Sequence, residues 1–98
     1  MNPKKLTKIM KALSNENRLA LYLEIAKREQ ANYEAPECNI AYIVQMFDLS
    51  KATISHHLKE LSTADLITTE KRGKFLVATI NKETLAEVKD VLGELLEV

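Results

Sequence analysis

The chain has 98 residues, 46% hydrophobic and 29% charged, with 14 basic and 14 acidic side chains. That suffices for one domain with one modest core, taken as a single unit over residues 1–98. No apolar run reaches the ~20 residues that span a bilayer and no signal-peptide pattern is present, so a cytoplasmic protein is expected. A single cysteine, Cys38, excludes an internal disulfide framework.

Asn2-Pro3 reads as a cap followed by proline at the first helical position. The helix it opens carries Leu6, Ile9, Met10 and Leu13 on one stripe. Ser14-Asn15 breaks it and caps a second helix, which is expected to run to about Arg28. Leu19, Leu21, Tyr22, Leu23, Ile25 and Ala26 cover more than one stripe of that helix, so it should be central and buried. Glu29 to Cys38 lacks a period, contains Pro36 and reads as a connection.

Ile40, Ile43, Val44 and Phe47 recur at i, i+3, i+4 and i+7, the spacing of a short helix that Asn39 can cap. Asp48, Leu49 and Ser50 then separate it from the helix around which the chain is organised, Ser50 to about Leu61. Asp48 stands where a turn often places glycine, and aspartate tolerates left-handed backbone. At about 100° per residue, Ile54, Leu58 and Leu61 face inward, whereas Ala52, His56, Lys59 and Thr63 face out with Thr53 and Ser55 on the flanks. Ser50 is the expected N-cap. Two helices joined by so tight a turn suggest a helix-turn-helix, whose second helix enters the DNA major groove. An ordinary helix pair in a small bundle fits these residues equally well.

The segment after this helix favours DNA. Leu66–Lys71 and Lys74–Ile80 are rich in Thr, Ile, Val and Phe around Arg72-Gly73, a β-hairpin signal. With Arg72-Gly73 as a two-residue loop, Ile67 would face Ala78 and Thr69 would face Leu76. Ile67, Leu76, Ala78 and Ile80 would then lie on the core side. The tip carries Lys71, Arg72 and Lys74, as a wing reaching for phosphates requires; an ordinary charged turn is the bland alternative. Asn81 caps a last helix to about Glu97, with Leu85, Val88, Leu92 and Leu95/Leu96 on one stripe. Zero net charge argues against nucleic acid, but its distribution does not. Residues 1–28 hold seven basic and two acidic residues, 50–82 six and three, and 83–98 one and five. A neutral total can therefore hide a basic face, and local field steers an anionic partner.

With helices, turn and hairpin in this order, the chain resembles the ArsR/SmtB family of small prokaryotic winged-helix repressors. The matching stretches are Ala12-Leu13-Ser14-Asn15-Glu16-Asn17-Arg18-Leu19 and Leu49-Ser50-Lys51-Ala52-Thr53-Ile54-Ser55-His56-His57-Leu58-Lys59-Glu60-Leu61, followed by Ala64-Asp65-Leu66-Ile67. The resemblance covers nearly the whole chain. It implies a mainly α fold with a β-hairpin wing, ordered ααα-turn-αββα, and repression by a homodimer bound to a near-palindromic operator. The recognition helices would lie about 34 Å apart. Lys51, Ala52, Thr53, Ser55 and His56 would read bases, and Ser50, Lys59, Lys71, Arg72 and Lys74 would contact the backbone. The first and last helices would form the dimer seam, which agrees with the stripes of Leu6, Ile9 and Leu13 and of Leu85, Val88, Leu92 and Leu95.

The chain departs from the family at its inducer sites. Where metal-sensing members carry Cys-x-Cys before the turn, this chain has Asn39 and Ala41, with Cys38 one residue off. Where another sub-group places Asp, His, His and Glu on the last helix, it has Lys82, Thr84, Leu95 and Val98. A metal site needs about four N, O or S ligands, so a member without the usual metal switch or any cofactor is expected, its inducer unidentified. His57 is read as structural, with a phosphate contact next. Cys38 is read as a small hydrophobe, with a thiol sensor as the rival. A winged-helix module that binds another protein is the alternative function. Catalysis is not expected: there is no Ser/His/Asp spacing and no glycine-rich phosphate loop.

Overall fold

A computed structural model describes residues 1–32, 43, 45–73 and 75–96. The first helix, α1, spans Pro3–Leu13, with Asn2 Oδ1 accepting from the Lys5 amide at 2.8 Å and proline at the start. Ser14 closes it by donating to the Lys11 carbonyl. Asn15 Oδ1 then accepts from the Arg18 amide at 3.0 Å, which opens α2, Glu16–Asn32. This helix runs four residues beyond the expected Arg28, so the first part of the supposed connection is helical; the remainder lies outside the described residues, as do Asn39 and its expected cap. α2 is also less enclosed than its composition suggests. Leu21, Tyr22 and Ile25 are buried, whereas Leu19 and Leu23 are exposed, Leu23 by 57%.

Ile43 is helical and fully buried. Gln45 and Met46 already form a turn, closed by the Met46 amide donating to the Ile43 carbonyl. Phe47 therefore packs against the core from the turn rather than from the expected helix. Helix α3 spans Lys51–Thr63, capped by Ser50, whose hydroxyl accepts from the Thr53 amide at 3.1 Å. Ile54, His57, Leu58 and Leu61 are its buried residues, the i, i+3, i+4, i+7 face of an amphipathic helix. Its end is a Schellman motif. The Leu66 amide donates to the Leu61 carbonyl and the Asp65 amide to the Ser62 carbonyl. Leu61 and Leu66, both buried, supply the hydrophobic contact such a motif carries. The left-handed residue is Asp65, φ 59°; Asp48, expected to take that conformation, does not.

Strands β1, Ile67–Arg72, and β2, Phe75–Ile80, pair antiparallel with Ile67 opposite Ile80, Thr69 opposite Ala78 and Arg72 opposite Phe75. Arg72 and Phe75 are thus the last pair before the loop, a register two residues away from the expected one. Side chains alternate with a period of two, so this slip leaves the inward set unchanged: Ile67, Ala78 and Ile80 are buried and Leu76 half-buried. Gly73 has φ +62°, the positive value a two-residue hairpin loop demands. On the outer face the Thr68 and Thr79 hydroxyls share a hydrogen bond of 2.8 Å.

Asn81 Oδ1 accepts from the Thr84 amide at 3.4 Å and opens α4, Lys82–Leu96. The stripe expected on this helix divides. Thr84 and Val88, one turn apart, are buried, whereas Leu85, Leu92 and Leu95 are exposed by 44%, 45% and 67%. An ion pair of 3.5 Å between Lys5 and Glu87 ties α1 to α4 at the surface. The core lies where α2 meets α1, α3 and β2 and where α3 meets β1.

Candidate nucleic-acid interface

Burying the Ile54/Leu58/Leu61 stripe turns the opposite side of α3 to solvent. Lys51, Ala52, Ser55, His56 and Lys59 are all exposed there, and Thr53 is half-buried. Ala52 and Ser55 are short enough to let the backbone approach a groove, while His56 and Lys59 offer donors. Two of the expected contacts are already engaged. The Ser50 hydroxyl holds the Thr53 amide and lies 2.9 Å from the Thr53 hydroxyl. Ser50 thus fixes the start of α3, and the Thr53 hydroxyl is already engaged within the helix start.

His57 departs from its neighbour. His56 is exposed, but His57 is 6% exposed, its ring 6.2 Å from that of His56 and tilted by 48°. Its Nδ1 is buried without a hydrogen-bond partner among the described residues. Burial first, and then the positive charges of Arg18 and His56, depress its pKa below the ordinary 6.5. The neutral ring belongs to the packing beneath α3, the structural role expected of it.

Arg18 has a role that its place in the sequence does not announce. Its Nε donates to the Ala12 carbonyl at 2.5 Å and its Nη2 to the Lys11 carbonyl at 3.5 Å. It thereby occupies acceptors at the C-terminal end of α1, where a cation also suits the helix dipole. The signal available in the sequence was one arginine three residues past a capping asparagine.

On the wing, Lys71 and Arg72 are exposed; Lys74 lies outside the described residues. Arg72 Nη2 stands 3.4 Å from Glu70 Oε2, with both side chains more than half exposed. So open a pair contributes little and leaves the guanidinium available to a phosphate. Of the positions compared with metal ligands, Lys82 and Leu95 are exposed and Thr84 is buried. Cys38, Asn39, Ala41 and Val98 lie outside the described residues. Among the described residues no group of three His, Cys, Asp or Glu side chains is placed to hold a metal ion.

A capped helix with an open polar face, followed at once by a two-stranded hairpin over a helical base, defines the winged-helix class of DNA-binding domains. Residues 34–69 match the family model described as "Bacterial regulatory protein, arsR family". The chain is 31% identical over 84 residues to the arsenical resistance operon repressor of Bacillus subtilis (strain 168), covering 86% of this chain and 70% of that one. It is 32% identical over 85 residues to the repressor of the same name from Staphylococcus xylosus, covering 87% and 74%. In fold it is similar to a crystal structure of an ArsR family transcriptional regulator, with a TM-score of 0.78 at 23% identity over 99% of this chain and 92% of that one. It is also similar to an ArsR-like regulator from Rhodococcus sp. RHA1, with a TM-score of 0.68 at 17% identity over 96% and 84%. The chain belongs to the ArsR family and is a DNA-binding transcriptional regulator.

Proposed function

We propose that the protein represses transcription as a homodimer that occupies a near-palindromic operator. The observation that carries this reading is the exposed face of α3, Lys51, Ala52, Ser55, His56 and Lys59, set beside a wing bearing Lys71 and Arg72 in a chain similar to two operon repressors. Lys51, Ala52, Thr53, Ser55 and His56 read base edges. Lys59, Lys71, Arg72 and Lys74 contact phosphates, and Ser50 sets the angle of the helix. Leu85, Leu92 and Leu95 on α4, with Leu6 and Leu13 on α1, supply the dimer seam. No described helix is long and apolar enough to cross a membrane.

The relatives are named for arsenical resistance. Soft metals and metalloids favour thiolate ligands, and this chain holds one cysteine. The reading is therefore a repressor without the usual metal switch, and operator complexes should survive added arsenite or zinc.

The deciding experiment selects bound duplexes from random DNA and titrates the selected site by gel shift. Affinity should fall steeply between about 50 and 200 mM salt, because phosphate contacts release counterions. Arg72→Ala should weaken all duplexes alike and make the salt dependence shallower by about one counterion. Binding that ignores both salt and sequence would refute the reading.

A further inference from the structure

Between α3 and the wing the surface opens into a cleft of about 310 Å³. Leu58 and Leu76 form its apolar part. Its polar walls are Ser55, Lys59, Ser62 and Thr63 on α3 and Thr69 on β1. Ser55, Lys59 and Ser62 recur at i, i+4 and i+7, so they share one edge of the helix. Thr69 is opposite Ala78 in the hairpin and so lies on the strand face that turns Ile67 and Ile80 into the core. It is nevertheless exposed, because there it borders the open cleft. None of the described residues lining the cleft is acidic.

Four hydroxyls and one ammonium beside an apolar floor suit an anion whose oxygens accept several hydrogen bonds while carrying about one charge. A phosphodiester is such an anion. The position is equally telling: one wall is an edge of the helix that reads bases, and the other is the wing. A duplex that takes α3 into its major groove runs one backbone past this gap. We propose that the cleft seats a single phosphate of the operator backbone. Lys59 supplies the charge, and Ser62, Thr63 and Thr69 hold the oxygens, so that helix and wing are fixed on one strand in one register. The inference rests on the DNA-binding reading above and adds to it three residues, Ser62, Thr63 and Thr69, and a specific seat.

The test uses the full chain and its selected operator, with methylphosphonate replacing one phosphate at a time. Thr69→Val keeps shape and strand preference but removes the hydroxyl, and should lower affinity about tenfold for every sequence. Thr69→Ser should bind as the wild type. Lys59→Ala should lose more and flatten the salt dependence by about one counterion. At one phosphate in each half-site, methylphosphonate should weaken the wild type, and Thr69→Val should cause no further loss there. The cleft is excluded if Thr69→Val binds normally, or if its deficit persists at every substituted phosphate. If the wild-type chain selects no duplex at all, the DNA-binding reading falls and this inference falls with it.

Discussion

His57 shows how a side chain within a recognition helix can serve stability rather than contact. It is buried beneath α3, its Nδ1 has no partner among the described residues, and burial is the first cause of its lowered pKa, ahead of the charges of Arg18 and His56. The folded chain therefore favours the neutral ring, and the unfolded chain binds a proton more readily. Stability from this group is complete above the ordinary imidazole pKa of about 6.5 and is lost as pH falls below that value toward the lowered one. Thermal unfolding midpoints should accordingly drop between about pH 7.5 and about pH 5.5, a range above most carboxylate titration. His57→Gln, which cannot take up the proton, should flatten that profile relative to the wild type. An unchanged slope in the variant would place the proton uptake elsewhere. Ser50 is the complementary case: an exposed hydroxyl that looks like a DNA contact is occupied in capping α3, so its main contribution is to set where that helix begins.

At the scale of elements, the wing separates what a sequence can disclose from what it cannot. Inward and outward positions of the strands follow from alternation, and the expected core face of Ile67, Leu76, Ala78 and Ile80 is the one observed. The loop position does not follow from alternation, because pairings two residues apart bury the same side chains. The observed pairing decides between them: Arg72 lies opposite Phe75, which leaves Gly73, with φ +62°, at the first loop position. No described atom lies within 4 Å of where its Cβ would stand, so Gly73→Ala tests backbone conformation alone. It should cost about 1 kcal/mol, a fall of about 4–8 °C in the unfolding midpoint of so small a domain. Gly73→Asn should lose less, since asparagine tolerates this region. Equal stability of wild type and Ala variant would mean the loop has another conformation. The same contrast runs through the helices. Caps at Asn2, Asn15, Ser50 and Asn81 were legible because each acts over three residues. The ends of α2 and of the helix containing Ile43 were not, because tertiary packing decides how far a weakly periodic segment continues. The exposed face of α3 was legible from the 3.6-residue period. Arg18 had only a faint local signal, its place three residues past a capping asparagine, and the cleft beside Thr69 joins α3 to a strand and had none.

At the scale of the molecule, the question is what covers α4. A protomer with a radius of gyration of 14.0 Å and extents of 46 × 26 × 20 Å is more elongated than a compact domain of this length, for which roughly 13 Å is expected. Within it Ile9 is 0% exposed and Val88 9%. Both are thus already committed to the protomer's own core, and Ile9 has no surface left to offer a partner. Leu85, Leu92 and Leu95 do, and Leu6 and Leu13 are half-buried beside the core. The proposed two-fold seam therefore rests on the outer leucines of α4 more than on α1. Leu92→Glu combined with Leu95→Glu should leave the protomer folded by circular dichroism, because both side chains are exposed in it. The same change should convert the dimer to monomer in sedimentation. Two half-sites then bind independently, and losing the effective concentration that one bound half lends the other should cost at least about 100-fold in operator affinity. The loss should be much smaller on an isolated half-site, where no second contact is forfeited. A variant that remains dimeric, or a wild-type chain that binds its full operator as a monomer, would remove α4 from the seam.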